Sequence, residues 1–555
     1  MSSISARPSS DRDQVLDSEG PEPTPPSVTE EPPAPGVGWS RLVVSTVVGV
    51  LGALSSFKLR TMPVPTDPWH YVLAGLTFPA RSWNDVGLTR YGMTLPMIPI
   101  TRLFGESELS YYLMPCLVTG LLIGGVYWLT SRSFGWIAGL SASVLVLANG
   151  VVLVNSSRLY PDVAAAAMTV LAVATALMAR DVWARRPKVS VALVLTLLLT
   201  GTFVGLSWWM RETALLAWPV IGAVLLWRGG PRARVSLPLV AVPAVGLLVL
   251  EMLVSKLAFG DAMLRFTALT GPDMSATTNM ADVPYLGQSR MTYLLTMPKG
   301  ALLFADGHWM VAMGIVAVLS GLVFPRKVGL FAAWFVLVFG LFTLVGGGLS
   351  PAHPRIRLDV ARYWIAWLPP MIIAAVGGVA LLARLLAERL LADRGRGLRL
   401  GLAGVLAVLL VAGPVAASAS GVRKSPTYVV TNGNDAAQFR NWLHTYDRAV
   451  GRMYSDWMSD RVLATYALSF TGHRMAHVRW MSLTGPEQPR VGDHVVLYSP
   501  NRDVCFFCGD NLHLWLDKHH EDLRRWDKVW TSSDSTFTVY EVTERSRPDG
   551  AATSN

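Results

Sequence analysis

The sequence predicts a polytopic α-helical membrane protein with about eleven transmembrane helices, followed by a C-terminal extracytoplasmic α/β domain. Three observations predict this class: the composition, the distribution of apolar runs and the positions of the basic residues. Of the 555 residues, 52% are hydrophobic and 15% are charged, whereas about 25% of residues are charged in an ordinary globular domain. Apolar runs occupy most of residues 41–419, and the chain is more polar from residue 420 onward.

The first 40 residues differ from all that follow. Residues 1–40 are rich in proline, aspartate and glutamate, a composition that buries too little apolar surface to fold. They also lack the basic start and short apolar core of a cleaved signal peptide. We therefore predict a disordered cytoplasmic tail, and we expect the first apolar run to remain as a membrane anchor.

Eleven apolar runs satisfy the requirement of about 20 predominantly apolar residues for a transmembrane helix. They are 41–58, 111–131, 134–154, 162–180, 189–209, 213–228, 235–258, 309–325, 328–349, 363–385 and 399–418. The run 92–104 is short and interrupted by prolines, which favours a helix lying at the membrane interface.

Basic residues concentrate on one side of this predicted arrangement. With the N-terminus in the cytoplasm, the inside loops carry Arg132, Arg180, Arg185, Arg186, Lys188, Arg228, Arg232, Arg234, Arg326, Lys327, Arg384, Arg389, Arg394, Arg396 and Arg399. The positive-inside rule requires such a bias, and it accounts for the formal net charge of +10 without a nucleic-acid partner. The pattern predicts a multi-pass protein of the cytoplasmic (inner) membrane, with the lipid bilayer as its surroundings and residues 420–545 outside.

Residues 420–545 alternate between two kinds of segment. Strand-like runs at 427–430, 451–456, 475–481 and 494–500 alternate with amphipathic stretches at 434–449, 460–470 and 511–526. This alternation is typical of a small α/β domain. Residues 546–555 are predicted to be disordered.

The predicted outside loops carry the polar residues that could perform chemistry. They are Asp67, His70, Tyr71 and Arg90 in the first loop, Arg158 and Asp162 in the second, Arg211 and Glu212 in the third, and Arg355, Arg357 and Arg362 in the fifth, with Glu251 inside a predicted span. Charged groups beside hydrocarbon are costly, so they usually pair or line a polar cavity. We expect these loops to converge on a cation-rich cavity at the outer leaflet.

Several of these residues stand in short motifs. The motifs are Asp67 with Tyr71, Arg90-Tyr91-Gly92 followed by Leu95-Pro96 and Leu103-Phe104-Gly105, Tyr160-Pro161-Asp162, Arg211-Glu212-Thr213, Glu251 with Phe259-Gly260-Asp261, and Arg362-Tyr363-Trp364 with Leu368-Pro369-Pro370. In this order and on one predicted face, they resemble the membrane glycosyltransferases of the C fold (GT-C). Within that group, the protein O-mannosyltransferase and lipid A aminoarabinose transferase type is the most similar. The resemblance covers residues 41–385, and it departs at Pro68, because many relatives carry an acidic pair at Asp67 and the next position.

The resemblance implies a polyprenyl-phosphate-linked sugar donor and transfer of the sugar, mannose or a pentose, with inversion. The acceptor would be a cell-wall glycan, a glycolipid or a protein at the outer membrane face. Asp67 would be the general base that takes the acceptor's proton, and Arg355, Arg357 and Arg362 would bind the lipid phosphate, since arginine binds phosphate through a planar fork. The remaining residues would position donor or acceptor; they are His70, Tyr71, Arg90, Arg158, Asp162 and Glu251.

No cofactor is predicted. Asp67 has no neighbouring acid to share a cation, which argues mildly against a divalent ion and leaves that alternative open. Cys505 and Cys508 have the spacing of a zinc pair, a redox motif or a disulfide, and outside the cytoplasm we favour a disulfide.

Structural alternatives remain for the candidate residues. Asp67 and Asp162 each stand at a predicted helix start, where an acid can serve as a cap. Arg211, Glu212 and Glu251 could form ion pairs between helices, and Arg362 could reach lipid head groups.

Alternatives also remain for the whole protein. They are a lipid-linked sugar flippase or transporter, a non-catalytic scaffold with a carbohydrate-binding outer domain, and a ligase that uses a diphosphate-linked donor. The absence of a visible internal repeat weakens the transporter interpretation.

Overall fold

The computed structural model describes residues 39–64, 66–81, 84–185, 188–226, 231–270, 286–390, 396–424, 428, 438–446, 451–456, 459–466, 478–483, 485–499, 510–519 and 521–543. Cys505, Cys508 and nearly all of the two predicted disordered tails lie outside these residues.

The described part of the membrane domain is mostly helical. Its helices are α1 (Trp39–Lys58), α2 (Asp67–Thr77), α3 (Asp85–Leu88), α4 (Tyr91–Phe104), α5 (Glu108–Phe134), α6 (Trp136–Ala148), α7 (Gly150–Asn155), α8 (Pro161–Arg185), α9 (Val191–Met210), α10 (Trp218–Leu226), α11 (Pro231–Phe259), α12 (Leu264–Thr270), α13 (Arg290–Ala301), α14 (Gly307–Val323), α15 (Gly329–Thr343), α16 (Leu368–Leu390) and α17 (Arg396–Lys424). Two 3-10 helices, Glu212–Ala217 and Ala361–Ala366, and a π turn, Leu344–Gly348, complete this part.

Eight of the described helices are long and apolar enough to cross a membrane, and three apolar helices are shorter. Together they correspond to the eleven predicted runs, so the predicted polytopic helical class is confirmed. The run 92–104 also forms a helix, α4, which contains Pro96 and Pro99 and ends at Gly105. At that glycine φ is +62°, a left-handed conformation that favours a residue without a Cβ atom.

The expected continuous helix over 134–154 is wrong, because the chain breaks at Asn149. The Asn149 side chain accepts hydrogen bonds from the backbone N–H groups of Val151 and Val152, at 3.2 and 3.3 Å, and caps the separate helix α7. Asparagine favours such caps over helix interiors because its side chain competes for backbone hydrogen bonds.

Helix α8 lies at the centre of the membrane domain. In the most apolar 18-residue stretch of α8, 89% of the residues are buried. The corresponding values for α11 and α17 are 11% and 17%. Four consecutive alanines in its first two turns and the small residues that follow let α5 and α9 pack closely against it. Because α8 begins with Pro161 and Asp162, a carboxylate stands at the end of the most buried helix.

Helices α1 and α5 pack by backbone contact. A Cβ atom placed on Gly49 would lie 2.8 Å from the carbonyl oxygen of Gly120, and Ser45 Oγ donates to the carbonyl of Gly124 at 2.7 Å. Small residues and serine hydroxyls commonly hold helices together in membranes. This contact anchors α1, from which the chain leads directly to α2.

The C-terminal domain is built on a five-stranded mixed sheet. Its strands are β1 (Arg452–Ser455), β2 (Arg479–Ser482), β3 (His494–Tyr498), β4 (Asp527–Thr531) and β5 (Phe537–Glu541), in the order β2-β1-β3-β5-β4. The pairs β1–β2 and β1–β3 are parallel, and β3–β5 and β4–β5 are antiparallel. The predicted α/β class of this domain is therefore confirmed.

Both faces of the sheet are covered. The helix α18 (Ser459–Tyr466) and a helical segment at 438–445 contribute to one apolar cluster with Met453 and Val496, and α19 (Asp510–Lys518) contributes to another with Tyr454 and Val495. Alternate residues of β1 and β3 thus face opposite clusters, as the two-residue period of a strand requires.

Two expectations for this domain need correction. The amphipathic stretch 511–526 is not a single helix, because α19 ends at Lys518 and a short 3-10 helix at Leu523–Arg525 follows, capped by the Asp522 side chain. Strands β4 and β5 lie outside the predicted strand-like runs; β4 is mostly exposed at the sheet edge, and β5 lies between β3 and β4.

Candidate active site

Eight ionisable side chains meet where α2, α4, α8, α9, α11 and α12 approach the 3-10 helices Glu212–Ala217 and Ala361–Ala366. They are the carboxylates Asp67, Asp162, Glu212 and Glu251 and the guanidinium groups Arg90, Arg211, Arg265 and Arg362. We call this set the charge network. Its four acids balance its four arginines, so the expected cation-rich cavity is wrong. Burial explains the balance, since an unpaired charge away from water is very costly.

Arg362 joins two carboxylates that come from different helices. Its Nη2 donates to Asp67 Oδ2 at 3.0 Å, and its Nε lies 3.8 Å from Asp162 Oδ2. Arg211 Nη1 donates to the other oxygen of Asp162. The Asp67 side chain is 33% exposed and that of Asp162 is 4% exposed. Asp67 is therefore the carboxylate that a substrate can reach, while Asp162 is the buried support beneath Arg362.

Two tyrosines hold these arginines in place. The guanidinium carbon of Arg362 lies 4.1 Å from the ring centre of Tyr160, and that of Arg211 lies 4.1 Å from the ring centre of Tyr363. Arginine stacks well on aromatic rings, and this restricts its rotamers while leaving its edges free to donate hydrogen bonds. Tyr160 stands two residues before Asp162 and Tyr363 directly follows Arg362, so each of these two motifs supplies both a charge and an aromatic support.

The second half of the network joins Arg90, Glu212, Arg265 and Glu251. Glu212 accepts two hydrogen bonds from Arg90, at 2.8 and 3.3 Å, and one from Arg265 Nη2 at 3.4 Å. Arg265 Nη1 donates to Glu251 Oε2 at 3.1 Å, and Trp208 Nε1 donates to the same oxygen at 2.9 Å. The side chains of Arg265 and Glu251 are both 1% exposed. Arg265 and Glu251 therefore form a buried support, while the side chains of Arg90 and Glu212 are 11% and 21% exposed.

Some hydrogen-bonding capacity in the network is unused. Among the described residues, Asp162 Oδ2, Arg211 Nε and Arg362 Nε are buried and have no hydrogen-bond partner. A cavity of about 20 Å³ lies beside Asp162, Arg211 and Tyr363, which is enough for about one water molecule.

The structure places the predicted residues of the first loop together. Helix α2 begins at Asp67, its N-cap is Thr66 and the Thr66 side chain makes no capping hydrogen bond. Tyr71 is fully buried, and its hydroxyl accepts from Arg90 Nη1 at 3.4 Å. His70 lies on the side of α2 that meets the C-terminal domain, where Arg461 Nη1 approaches its Nε2 at 3.4 Å. Burial and the Arg461 charge lower the pKa of His70 to about 4, so this imidazole is neutral near pH 7.

Three predicted arginines lie elsewhere. Arg158 is buried, and its Nε donates to Thr61 Oγ1 at 3.2 Å near the C-terminal domain. Arg355 is exposed, and Arg357 pairs with Asp359 two residues later at 2.7 Å. These arginines form none of the ion pairs described for the charge network. Arg357 has a local partner in Asp359, Arg355 faces solvent, and Nη2 of Arg158 is buried without a hydrogen-bond partner among the described residues.

Arg265 is the member of the network that the sequence did not predict. It follows the motif Phe259-Gly260-Asp261 in a loop helix, and its importance comes from contacts with residues 14 and 53 positions away. The available signal was a single arginine four residues after the motif Phe259-Gly260-Asp261. Arg211 and Glu212 do form ion pairs between elements, as one alternative interpretation holds, but each pairs with a different partner.

No metal site is evident in the part of the chain that the structure describes. No group of three or more His, Cys, Asp or Glu side chains there has an arrangement that could hold a metal ion. The absence of a cofactor stays a prediction.

No family model and no curated protein matches the sequence. Solved structures do match. ArnT from Cupriavidus metallidurans bound to undecaprenyl phosphate has a TM-score of 0.50 and 15% identity, covering 90% of this chain and 98% of that one. Its apo state has a TM-score of 0.48 and 15% identity, covering 90% and 97%. The apo oligosaccharyltransferase from Archaeoglobus fulgidus has a TM-score of 0.47 and 13% identity, covering 92% and 74%. The first likeness confirms the predicted GT-C fold.

Proposed function

We propose that the protein is a membrane glycosyltransferase that moves a sugar from a polyprenyl phosphate to a cell-envelope acceptor. One observation carries the proposal: an accessible carboxylate, Asp67, lies within hydrogen-bonding distance of an arginine, Arg362, that is backed by a buried carboxylate, Asp162. A base and an anion-binding group side by side are what glycosyl transfer from a phosphate requires. The proposal places the reaction at the outer face of the inner membrane, with the C-terminal domain outside.

Asp67 would act as the general base. The acceptor hydroxyl attacks the anomeric carbon while its proton passes to an oxygen of Asp67. The bond from that carbon to the phosphate oxygen breaks, and its electron pair leaves with the phosphate. The configuration at the anomeric carbon inverts, because the attack and the departure occur on opposite sides of the sugar ring.

Arg362 would receive the developing phosphate charge. Its side chain is 20% exposed, and its Nη2 contacts the accessible carboxylate of Asp67, whereas its Nε is buried beside Asp162. The stack on Tyr160 and the pairing with Asp162 fix its plane before the substrate arrives. A preorganised donor of this kind stabilises charge in the transition state without the cost of reorientation.

An apolar groove near Arg362 would hold the polyprenyl chain. It has a volume of about 420 Å³ and is lined by α13, α14 and α15 together with Trp367 and Met371. Trp367 directly follows the 3-10 helix that carries Arg362. One short segment therefore connects a place for the phosphate to a place for the lipid tail.

The test is sugar transfer by the purified full-length protein in nanodiscs. Radiolabelled polyprenyl-phosphate mannose and polyprenyl-phosphate pentose would be offered with a cell-envelope extract as acceptor. We expect transfer by the wild type and none by Asp67→Asn, with equal retention of the lipid-linked sugar by both proteins. Binding without transfer by the wild type would favour the flippase or scaffold alternative, and transfer only from diphosphate-linked donors would favour the ligase.

A further inference from the structure

The segment that leads from α1 to α2 enters the C-terminal domain. Met62 is 2% exposed and belongs to the apolar cluster on one face of the sheet, with Phe439, Met453 and Val496 among its members. Its neighbour Thr61 forms an antiparallel bridge with Tyr428. A residue only five positions before Asp67 is thus part of the core of a domain that begins more than 300 residues later.

The same segment is also held from the membrane side. Thr61 donates its backbone N–H to Ser157 Oγ at 3.0 Å, and its carbonyl accepts from the Tyr112 hydroxyl at 2.6 Å. The backbone N–H of Val64 donates to the Tyr111 hydroxyl at 2.8 Å. The start of α2 is therefore clamped between the two parts of the protein.

A second contact lies just after Asp67. Arg461, on α18 of the C-terminal domain, places its guanidinium carbon 5.1 Å from the ring centre of Trp69 and its Nη1 3.4 Å from His70 Nε2. Residues three apart lie on the same face of a helix, so His70 stands one turn above Asp67. The C-terminal domain consequently contacts the chain on both sides of the carboxylate.

We propose that the C-terminal domain is a positioning part of the active site, which holds Asp67 against Arg362 through Met62 and Arg461. Its effect on turnover rests on the proposed function, whereas its effect on the order of α2 does not. A displacement of the base by about 1 Å can cost about a hundredfold in rate. Arg461 is in this sense a positioning residue, since it acts on Asp67 through Trp69 and His70.

The test uses the full-length protein with Met62→Ala, Arg461→Gln and Arg461→Lys. For Met62→Ala and Arg461→Gln we expect kcat to fall by about 10- to 100-fold with little change in the donor KM, because the base moves while the donor site does not. Arg461→Lys retains the charge and should recover part of the loss. The matched control is Arg479→Gln, which removes an exposed arginine of the same domain and should leave kcat unchanged.

A second measurement separates this inference from the proposed function. Hydrogen–deuterium exchange of the peptide 66–77 should rise in Met62→Ala and Arg461→Gln and stay at the wild-type level in Arg479→Gln. A thermal unfolding transition would show that the domain is still folded in both variants. If exchange and kcat were then unchanged in both, the inference would be overturned. If the wild type transfers no sugar, the proposed function fails, and the exchange result still decides whether the C-terminal domain orders α2.

Discussion

Arg362 donates from Nη2 to Asp67 Oδ2 at 3.0 Å, although 295 positions separate the two residues in the chain. The same guanidinium lies 3.8 Å from Asp162 Oδ2, so it connects the accessible start of α2 with the buried start of α8. This relationship gives the two carboxylates different roles. A substrate can reach Asp67, whereas Asp162 is buried and pairs with both Arg362 and Arg211.

Asp67→Asn should abolish detectable transfer, a loss of about 10²- to 10⁴-fold, because an amide cannot take the acceptor's proton. Binding of the lipid-linked donor should persist, since the substitution keeps the shape of the side chain. Initial rates with saturating donor would measure the loss. Asp85→Asn is the control, an acid 35% exposed on α3 that forms no part of the charge network. Equal transfer by Asp67→Asn and the wild type would show that Asp67 is not the base.

Arg362→Lys should reduce kcat/KM for the donor by about 10- to 100-fold, since a hydrogen bond between charged groups contributes about 1.5–3 kcal/mol. Lysine keeps the charge but cannot contact both carboxylates in one plane or stack in the same way on Tyr160. Steady-state kinetics with varied donor would measure the change. Arg290→Lys, at an exposed position on α13, should behave as the wild type. A normal kcat/KM in Arg362→Lys would show that the planar contact of the guanidinium group does not contribute to donor binding or transfer.

Arg265→Met should destabilise the protein by about 3–5 kcal/mol, because it leaves the buried Glu251 without its partner. Adding Glu251→Gln should recover more than half of the loss, since the uncompensated charge is then removed. Thermal unfolding in detergent would compare the stability of the wild type, the single variant and the double variant. Arg479→Met serves as the exposed control, and its free energy of unfolding should change by no more than about 0.5 kcal/mol. If the double variant were no more stable than the single one, lost packing would account for the effect instead of charge.

Asp460→Asn should make stability less dependent on pH. Burial, with the nearby charges of Glu106 and Asp456, raises the pKa of Asp460 to about 6, compared with about 3.9 in an unfolded chain. The unfolded state therefore binds fewer protons than the folded state between these values, and stability is lost as the pH rises through about 6. The asparagine variant cannot ionise, so its Tm should exceed that of the wild type at about pH 8 and approach it at about pH 5. If the Tm difference between the variant and the wild type were the same at both pH values, Asp460 would not be the group that titrates.

Gly314→Leu should narrow the apolar groove beside Trp367. A Cβ atom at Gly314 meets only Met371 and Phe335 at ordinary contact distances, 3.6 and 3.7 Å, so the larger side chain can enter the groove. We expect a raised KM for long-chain donors and little change for a donor with one or two isoprene units. Gly340→Leu is the control, since a Cβ there meets nothing within 4 Å. If both chain lengths were affected equally, the groove would not hold the lipid tail.

The sequence by itself determined most helices of the membrane domain and most of the charged groups of the site, with Arg265 as the exception. A run of about 20 apolar residues forms a helix in a membrane because its backbone hydrogen bonds must be satisfied within the segment, and this requirement is local. For the same local reason, asparagine at position 149 broke one predicted span. Polar residues beside such runs are costly, and so Asp67, Asp162, Glu251 and Arg362 were identifiable from the chain's composition and order alone.

The tertiary structure decided which of these residues meet. Arg362 joined Asp67 and Asp162, Arg265 joined Glu212 and Glu251, and Arg357 remained with its neighbour Asp359. Partners far apart in the chain are chosen by helix packing and by the cost of leaving a buried charge unpaired, and neither leaves a local pattern. Met62 shows the same limit, because one apolar residue in a short connection carries no sign that it completes the core of another domain. The sequence thus determined the helices and the types of charged group. Helix packing determined which groups pair, because it brings together residues that are far apart in the chain.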